Sequence, residues 1–427
     1  MDKIKQQAKW LPEDPARLHH WLRQHHEGVG KREKKLLHPA CQALKDLIDG
    51  DGICRMLLTR AIDQVDRDSV EYHYLDSPET MVEAIDAVLE MAPEYDPAGP
   101  VCFPISAILV LTLSTPAGFE AYRNTDLNRC FKGILNAWCE FLSSERSTYV
   151  LHGGRDGWMS ADAQAQLGMA DYEHDPDAQH WGYRSWNDFF TRRLSTKGDP
   201  RPLAGRDDHS VIVAGCDSIV YRVTHNAQLT TKFWIKTQSY SLLDMLAHCR
   251  EYASKFIGGD VLQAYLSALS YHRWHAPVSG KVLAAWVVDG TYFSELGEAS
   301  GPPWIRRPPK GPSKTFDNCS QRLHSARATR AVYIIEADDP AIGLVAFVAV
   351  GMAEFSSSII REDLRRAPGA SGKPPPHVNK GDEIGYFQFG GSTHCVVFRK
   401  GAVDEFLVSP GDSIEVGQHV ATAASAS

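Results

Sequence analysis

Hydrophobic positions along the chain change their period near its middle, and that change divides the sequence. Up to about residue 190, apolar residues recur at spacings of three and four in "PEDPARLHHWLRQHH", "CQALKDLIDG", "SPETMVEAIDAVLEMA" and "DLNRCFKGILNAWCEFLSS". That is the period of helices burying one face. Ser77-Pro78-Glu79 adds a good helix start, a capping hydroxyl ahead of a first-turn proline. Glycine, proline and charge then cluster in "TKGDPRPLAGRDD" (196–208), and the apolar runs beyond it are short and β-rich. Strands are predicted over 211–223, 281–288, 331–336, 342–351, 393–399 and 413–422, with a helix or two near "YSLLDMLAHCREYA". The pattern predicts an α+β chain: a helical N-terminal domain, 1–182, followed by a β-rich, barrel- or sandwich-like domain, 183–427.

Turn chemistry refines this picture. "VNKGDEIGYF" and "VSPGDSIEVG" share a strand, Gly-Asp turn, strand cadence found in small β-barrels. Two stretches rich in proline and glycine, 297–318 and 364–380, are predicted as long loops, either lids or disordered. "FPISAILVLTLSTPAGF" is the most membrane-like stretch, but its unbroken apolar run falls well short of the ~20 residues of a spanning helix. It is predicted as a buried helix, and no integral membrane segment is expected.

Composition narrows the class of function. With 427 residues, 43% hydrophobic and 23% charged, the chain has the make-up of a soluble globular protein of two or three domains. A formal charge of −8 argues against nucleic acid or an anionic bilayer as principal partner. The basic run Lys31 to Lys35 reads as a solvated helix face. Nine scattered cysteines without a C-x-x-C pair suggest neither a zinc cluster nor a disulfide framework, and the first residues, "MDKIKQQAKW", lack the apolar core of a signal peptide. A reducing cytoplasm is the expected setting.

The candidate chemistry lies in three places. In "FGGSTHCVVF" (389–398), two glycines interrupt a strand just before Ser392. Glycine there weakens the strand and marks a place where another group approaches the main chain closely. In "YHRWHAPVSGKV", His272 and His275 lie three apart ahead of a Pro277/Gly280 turn. On a helix that spacing would set both rings on one face, fit for a metal, though the glutamate of an H-E-x-x-H motif is missing; a hydrogen-bonded structural role is the alternative. In "VIVAGCDSIVYRV", Asp217 interrupts an apolar strand, where an acid needs a partner, and an Asx-type turn explains it equally well.

Serine needs a base to become a nucleophile, and the base works best when an acid orients its ring. Asp217, a histidine of the 271–275 segment and Ser392 could fill those roles. If the group approaching the Gly391–Ser392 peptide is the Ser392 hydroxyl itself, the glycines are explained, because they leave the preceding carbonyl open and tolerate strained backbone. The protein would then cut its own chain. One turnover per molecule is a modest demand, since a rate near 0.01 per second needs a barrier of about 20 kcal/mol.

Taken in order, "YRSWNDFFTRRLSTKGDPRPL", Asp217, "YHRWHAPVSG", "IIEADDPAIGLVAFVAVGMAEFSSSI" and "KGDEIGYFQFGGST" resemble the phosphatidylserine decarboxylase family of pyruvoyl enzymes over the C-terminal 240 or so residues. The likeness extends further to the fungal-type pyruvoyl-dependent L-tryptophan decarboxylases. These share a long helical extension, "YHRWHAP", "GTYF" (290–293) and Gly-Gly-Ser in place of Leu-Gly-Ser. Cys216-Asp217-Ser218 departs from the Ala-Asp-Gly usual in the phospholipid enzymes, which leaves the acid in place but alters its turn.

The resemblance implies that Ser392 attacks the Gly391 carbonyl with His275 as base and Asp217 as its orienting acid. It implies a β chain ending at Gly391 and an α chain of 36 residues, 392–427, headed by a pyruvoyl cofactor made from Ser392. Such a ketone replaces pyridoxal phosphate as electron sink. His272 then serves as general acid in decarboxylation.

Without a membrane anchor, the expected substrate is a small soluble amino acid, tryptophan by resemblance, and phosphatidylserine, giving phosphatidylethanolamine, is the alternative. Tyr292, Phe293, Trp274 and the loop around Trp304 are candidate pocket aromatics, with core packing as their other reading. Thr393 and His394 are candidate pocket walls, and His394 reads equally as strand surface. No metal is expected, and association of several copies is possible. A zinc hydrolase using His272, His275 and Asp217 and a lipoyl-like carrier with Lys380 as its modified lysine are the remote alternatives.

Overall fold

The computed structural model describes residues 15–32, 36–65, 74–97, 103–113, 115–230, 240–267, 269–293, 320–352, 354 and 357–425. The predicted loop 297–318, with Trp304, lies outside them.

The first part is helical. Its helices are α1 (Pro15–Lys31), α2 (Pro39–Gly50), α3 (Gly52–Asp63), α4 (Pro78–Val88), α5 (Pro104–Leu113), α6 (Pro116–Ala121), α7 (Thr125–Leu142), α8 (Ala161–Leu167) and α9 (Trp186–Phe190). Ser77 caps α4 with a reciprocal box, its hydroxyl accepting from Thr80 N–H while the Thr80 hydroxyl accepts from Ser77 N–H. Helix α5 is buried along its whole length, as its unbroken apolar run requires. No described helix is long and apolar enough to cross a membrane.

The second part is built on antiparallel strands. These are β1 (Val211–Val213), β2 (Ser218–Thr224), β3 (Asp260–Leu266), β4 (Arg273–His275), β5 (Gly280–Val288), β6 (Arg330–Ala337), β7 (Leu344–Gly351), β8 (Ser358–Ile360), β9 (His377–Val378), β10 (Glu383–Phe387), β11 (Ser392–Phe398), β12 (Val403–Phe406), β13 (Ser413–Ile414) and β14 (His419–Ala423). Three short helices, α10 (Leu242–Met245), α11 (Arg250–Ala253) and α12 (Ser320–Arg327), accompany them. The main sheet has eight strands in the order β13-β2-β3-β11-β7-β6-β5-β9, and two three-stranded sheets, β4-β10-β8 and β1-β14-β12, lie beside it.

The α+β class is as the sequence predicts, but the sheets stay open and no closed barrel forms among the described residues. The two Gly-Asp turns lead into β10 and β13, which belong to different sheets. The predicted strand 211–223 is two strands, β1 and β2, because the chain turns at Gly215–Asp217; 413–422 likewise divides into β13 and β14. The loop 364–380 is strapped to β5, through the Ala285–Arg366 bridge and the pairing of Gly280 and Lys281 with β9.

Two cores meet where the site lies. The helical core takes in Trp186, Phe189 and Phe190 of α9 and also Tyr271, Tyr292, Phe293 and Phe389 from the β-rich part. A second core fills the space between the sheets with Cys216, Trp274, Phe347, Phe387 and Val396.

Candidate active site

Strand β11 is central in the main sheet, hydrogen-bonded to β3 on one side and β7 on the other, and Ser392 is its first residue, opposite Leu266 and Gly351. Side chains alternate along a strand. Thr393 points to the face where its hydroxyl donates to Ala264 O at 2.9 Å and accepts from Gln263 Nε2 at 3.2 Å. Ser392 and His394 share the opposite face, the one on which Val396 and Phe347 pack with Cys216, Trp274 and Ala276. Ser392 therefore shares the face of β11 that packs on Cys216 and Trp274, the sequence neighbours of Asp217 and His275, but no hydrogen bond joins its hydroxyl to Asp217, His272 or His275.

Ser392 is fully buried, and its hydroxyl has no hydrogen-bond partner among the described residues. The peptide before it is held: Met352 N–H donates to the Gly391 carbonyl oxygen at 2.7 Å. Gly390 sits at φ 144°, a conformation that glycine adopts without strain.

His275 is placed by main chain. Its N–H donates to Gly215 O at 2.8 Å. A Cβ on Gly215 would come within 2.7 Å of the His275 carbonyl and 2.9 Å of the Phe347 ring, so this approach requires glycine. His275 Nδ1 lies 2.7 Å from Gly381 O, an acceptor, which makes Nδ1 the protonated nitrogen. Nε2 then carries the lone pair and accepts from the Tyr271 hydroxyl at 3.0 Å. Burial pushes the His275 pKa below the ordinary histidine value, against smaller upward pulls from the Gly381 carbonyl and the charges of Glu383 and Asp217. The ring is neutral at pH 7, as a base must be.

Asp217 is not hydrogen-bonded to His275. Its carboxylate accepts from Arg201 Nη2 at 2.8 Å and from Val416 N–H at 2.8 Å, and Arg201 also binds Asp171 at 2.8 Å. His272, which the helical-spacing reading would place on the same face as His275, instead precedes the short strand β4 and stacks on Phe190 at 4.0 Å. The two rings have different neighbours. Among the described residues no group of three histidine, cysteine or acidic side chains is placed to hold a metal ion. Lys380 is not an exposed hairpin lysine: it is buried with its amine on the carbonyls of Gly205, Asp208 and Val211.

The pocket candidates among the described residues, Tyr292, Phe293, Trp274, Thr393 and His394, are all buried. Tyr292 and Phe293 pack on the helical core, Tyr292 N–H on Asn128 Oδ1 at 3.0 Å and Phe293 against Phe131 at 4.8 Å. Trp274 packs edge-on to Phe387 at 4.7 Å. His394 is no strand-surface residue: it is fully buried and stacked on Phe347 at 5.6 Å, with neither ring nitrogen hydrogen-bonded among the described residues. Burial lowers its pKa to about 4, so it is neutral. Leaving its polar atoms unpaired costs roughly 1–3 kcal/mol each.

A family model for phosphatidylserine decarboxylase matches residues 186–422, more than half of the chain. The chain belongs to the phosphatidylserine decarboxylase family. A second phosphatidylserine decarboxylase model matches the helical part, residues 38–167. Among its relatives, a decarboxylase, iboD, of Amanita muscaria is 33% identical over 75% of this chain and 89% of its own length. An L-tryptophan decarboxylase of Psilocybe cyanescens is 33% identical over 78% of this chain and 76% of its own length. A phosphatidylserine decarboxylase proenzyme of Clostridium novyi is 31% identical over 51% of this chain and 62% of its own length. This family member is therefore a carboxy-lyase.

Sequence reasoning missed Tyr271, Gly381 and Arg201 as neighbours of the site, although all three lie inside the stretches quoted above. Tyr271 is only four residues from its partner His275 and was a local signal, whereas Gly381 lies 106 residues from His275, and Arg201, in the turn rich in glycine and proline, lies 16 residues from Asp217.

The lowered pKa of His275 has a measurable consequence for any reaction that uses Nε2 as base. The active form is the neutral one, present above the folded pKa and lost as pH falls through it. The rate of chain cleavage, followed on denaturing gels, is expected to be flat from pH 7 to 8 and to fall tenfold per pH unit once below a midpoint under 6.5. A midpoint above 7 would remove His275 as the base.

Proposed function

We propose that this protein is a pyruvoyl-dependent decarboxylase of a free aromatic L-amino acid, L-tryptophan foremost, armed by cutting its own Gly391–Ser392 bond. The observation that carries the reading is the buried Ser392 hydroxyl, without a hydrogen-bond partner among the described residues, directly after a carbonyl already held by a main-chain donor. An unpaired buried hydroxyl is costly unless it has chemistry to do.

The cleavage balances with water as sole co-reactant. Ser392 Oγ bonds to the Gly391 carbonyl carbon as its proton passes to His275 Nε2. The Gly391–Ser392 C–N bond then breaks and the nitrogen takes up a proton, leaving an ester. Loss of the Ser392 α-proton expels Gly391 as a carboxylate, and hydrolysis of the resulting enamine releases ammonia and leaves the ketone. Asp217, paired with Arg201, contributes negative charge near His275. The pyruvoyl group would sit at the head of β11, where its keto carbonyl supplies the electron sink for an amine substrate losing carbon dioxide. His272 holds the proton returned to the substrate carbon, and His394 is a donor or acceptor for substrate.

The helical part and the β-rich part divide near residue 183 in this reading, and a cytoplasmic setting suits a soluble amino acid. Phosphatidylserine is a second reading with one structural point in its favour. A groove of about 470 Å³ between β4, β8 and β10 is lined by Arg193, Arg273, Arg361 and Arg365 against Glu362 and Glu383, a surface that could take a phosphate.

Carbon dioxide release from tryptophan, tyrosine, phenylalanine and vesicle-borne phosphatidylserine separates these readings. Tryptophan is expected to exceed each of the others in kcat/KM by at least about tenfold. Release from phosphatidylserine alone would overturn the amino-acid assignment.

A further inference from the structure

Two anchors flank the scissile peptide, and both are set in the helical part. On the β11 side, Phe389, two residues before Gly391, is buried with its ring against Phe103 at 5.8 Å, Trp138 at 5.0 Å and Trp186 at 6.0 Å. On the β7 side, Met352 donates its N–H to the Gly391 oxygen. Two residues further on, the Glu354 carboxylate accepts from Ser106 N–H in the first turn of α5. Phe103 and Ser106 bracket the start of that helix, so both anchors end on the same turn.

Glu354 is an expensive residue to keep. It is fully buried, its backbone takes the left-handed conformation at φ 50°, and its second carboxyl oxygen has no partner among the described residues. Burial also drives its pKa well above the usual carboxylate range. A strained buried group persists only where its surroundings fix it and tends to mark function. The unpaired N–H groups of a helix start suit a carboxyl group, but they do not explain why a residue just past the end of β7 should supply it.

Self-cleavage does explain it. As Ser392 Oγ bonds to the Gly391 carbon, negative charge develops on the Gly391 oxygen, and the Met352 N–H is already aimed at that oxygen. A main-chain donor cannot be re-aimed by a rotamer change; its direction is set by where its segment is tied down.

We propose that the helical domain is the holder for self-cleavage: Glu354 fixes the Met352 N–H on the Gly391 oxygen, and Phe389 fixes the scissile peptide against α5, α7 and α9. Both are positioning residues of maturation. The inference rests on the self-cleavage reading above and adds to it a task for the helical part.

Full-length precursor made by cell-free translation and sampled over time on denaturing gels measures cleavage without any decarboxylation assay. Glu354→Ala and Phe389→Ala are each expected to slow the appearance of the 36-residue chain at least about tenfold. Glu354→Gln, which keeps an acceptor oxygen for Ser106 N–H, is expected to stay within about threefold of the wild type. Phe389→Leu, the variant to use if Phe389→Ala does not fold, is expected to fall between Phe389→Ala and wild type. Leu167→Ala, a core truncation in α8 away from the scissile peptide, is the control for lost stability and is expected to cleave at the wild-type rate.

Wild-type cleavage rates in Glu354→Ala and Phe389→Ala would overturn the inference, as would a Glu354→Gln variant no faster than Glu354→Ala, or equal slowing in Leu167→Ala. In each of these cases a cleaved wild type leaves the self-cleavage reading intact. A wild type that is never cleaved ends that reading and this inference with it.

Discussion

Ser392→Ala is expected to leave the chain whole and to abolish decarboxylation, while the wild type runs as two polypeptides. The physical case is direct. The Ser392 oxygen is both the atom that attacks and, in the serine carbon skeleton, the leaving group whose departure creates the ketone. Alanine supplies neither. The substitution also comes without the usual objection that the protein has unfolded. The Ser392 hydroxyl makes no hydrogen bond among the described residues, so its removal strands no partner and even relieves a buried unpaired group. The melting temperature of Ser392→Ala is expected to match or exceed that of uncut wild-type precursor. Loss of cleavage with unchanged stability assigns the effect to chemistry; a cleaved Ser392→Ala chain would sink the scheme.

The second large effect separates the two histidines. His275→Gln removes a base whose tautomer is fixed by Gly381 and whose lone pair already accepts a hydrogen bond from the Tyr271 hydroxyl. Cleavage is expected to slow by roughly 10²–10⁴-fold, the range for a lost general base. His272→Gln is expected to cleave at close to the wild-type rate and then to decarboxylate roughly 10²–10⁴-fold more slowly per cleaved chain. The structure gives the rings different surroundings, His272 stacked on Phe190 and His275 beside Tyr271 and Gly381, which is what a division of labour requires. Equal loss of cleavage in both variants would show that one histidine supports the other.

Much of the fold was legible because the chain advertises its periods. Helices α1, α2, α4 and α7 follow apolar spacings of three and four, and β5, β6, β7 and β11 follow runs of β-branched and aromatic residues. What went unread has identifiable causes. Strand β3 was missed because Gln263, fully buried in its middle, breaks the apolar run; its amide is satisfied by Gln321 and Thr393, partners invisible in a one-dimensional pattern. Helix α3 was missed because Ile53 and Met56 are exposed on it, which blurs its stripe. A single residue, Asp51, also both ends α2 and caps α3 with its carboxylate on Ile53 and Cys54 N–H, leaving no loop to mark the break.

The site was legible in part for a related reason. Gly390-Gly391-Ser392 and the histidine pair stand out because each is a local anomaly in a strand pattern. Tyr271 does not, because a tyrosine four residues before a histidine is ordinary in a strand pattern. Arg201 and Gly381 do not, since their roles come from separate segments brought side by side. The pairing of Asp217 with Arg201, where an acid on His275 was expected, is of that kind.

The most direct test of the account is intact-mass spectrometry of purified, catalytically active protein. The account predicts two chains, residues 1–391 and 392–427, the smaller one lighter by one ammonia than the same peptide begun by serine and shifted by a carbonyl reagent. An active protein whose mass is that of the single uncut chain, with Ser392 still joined to Gly391, would contradict it.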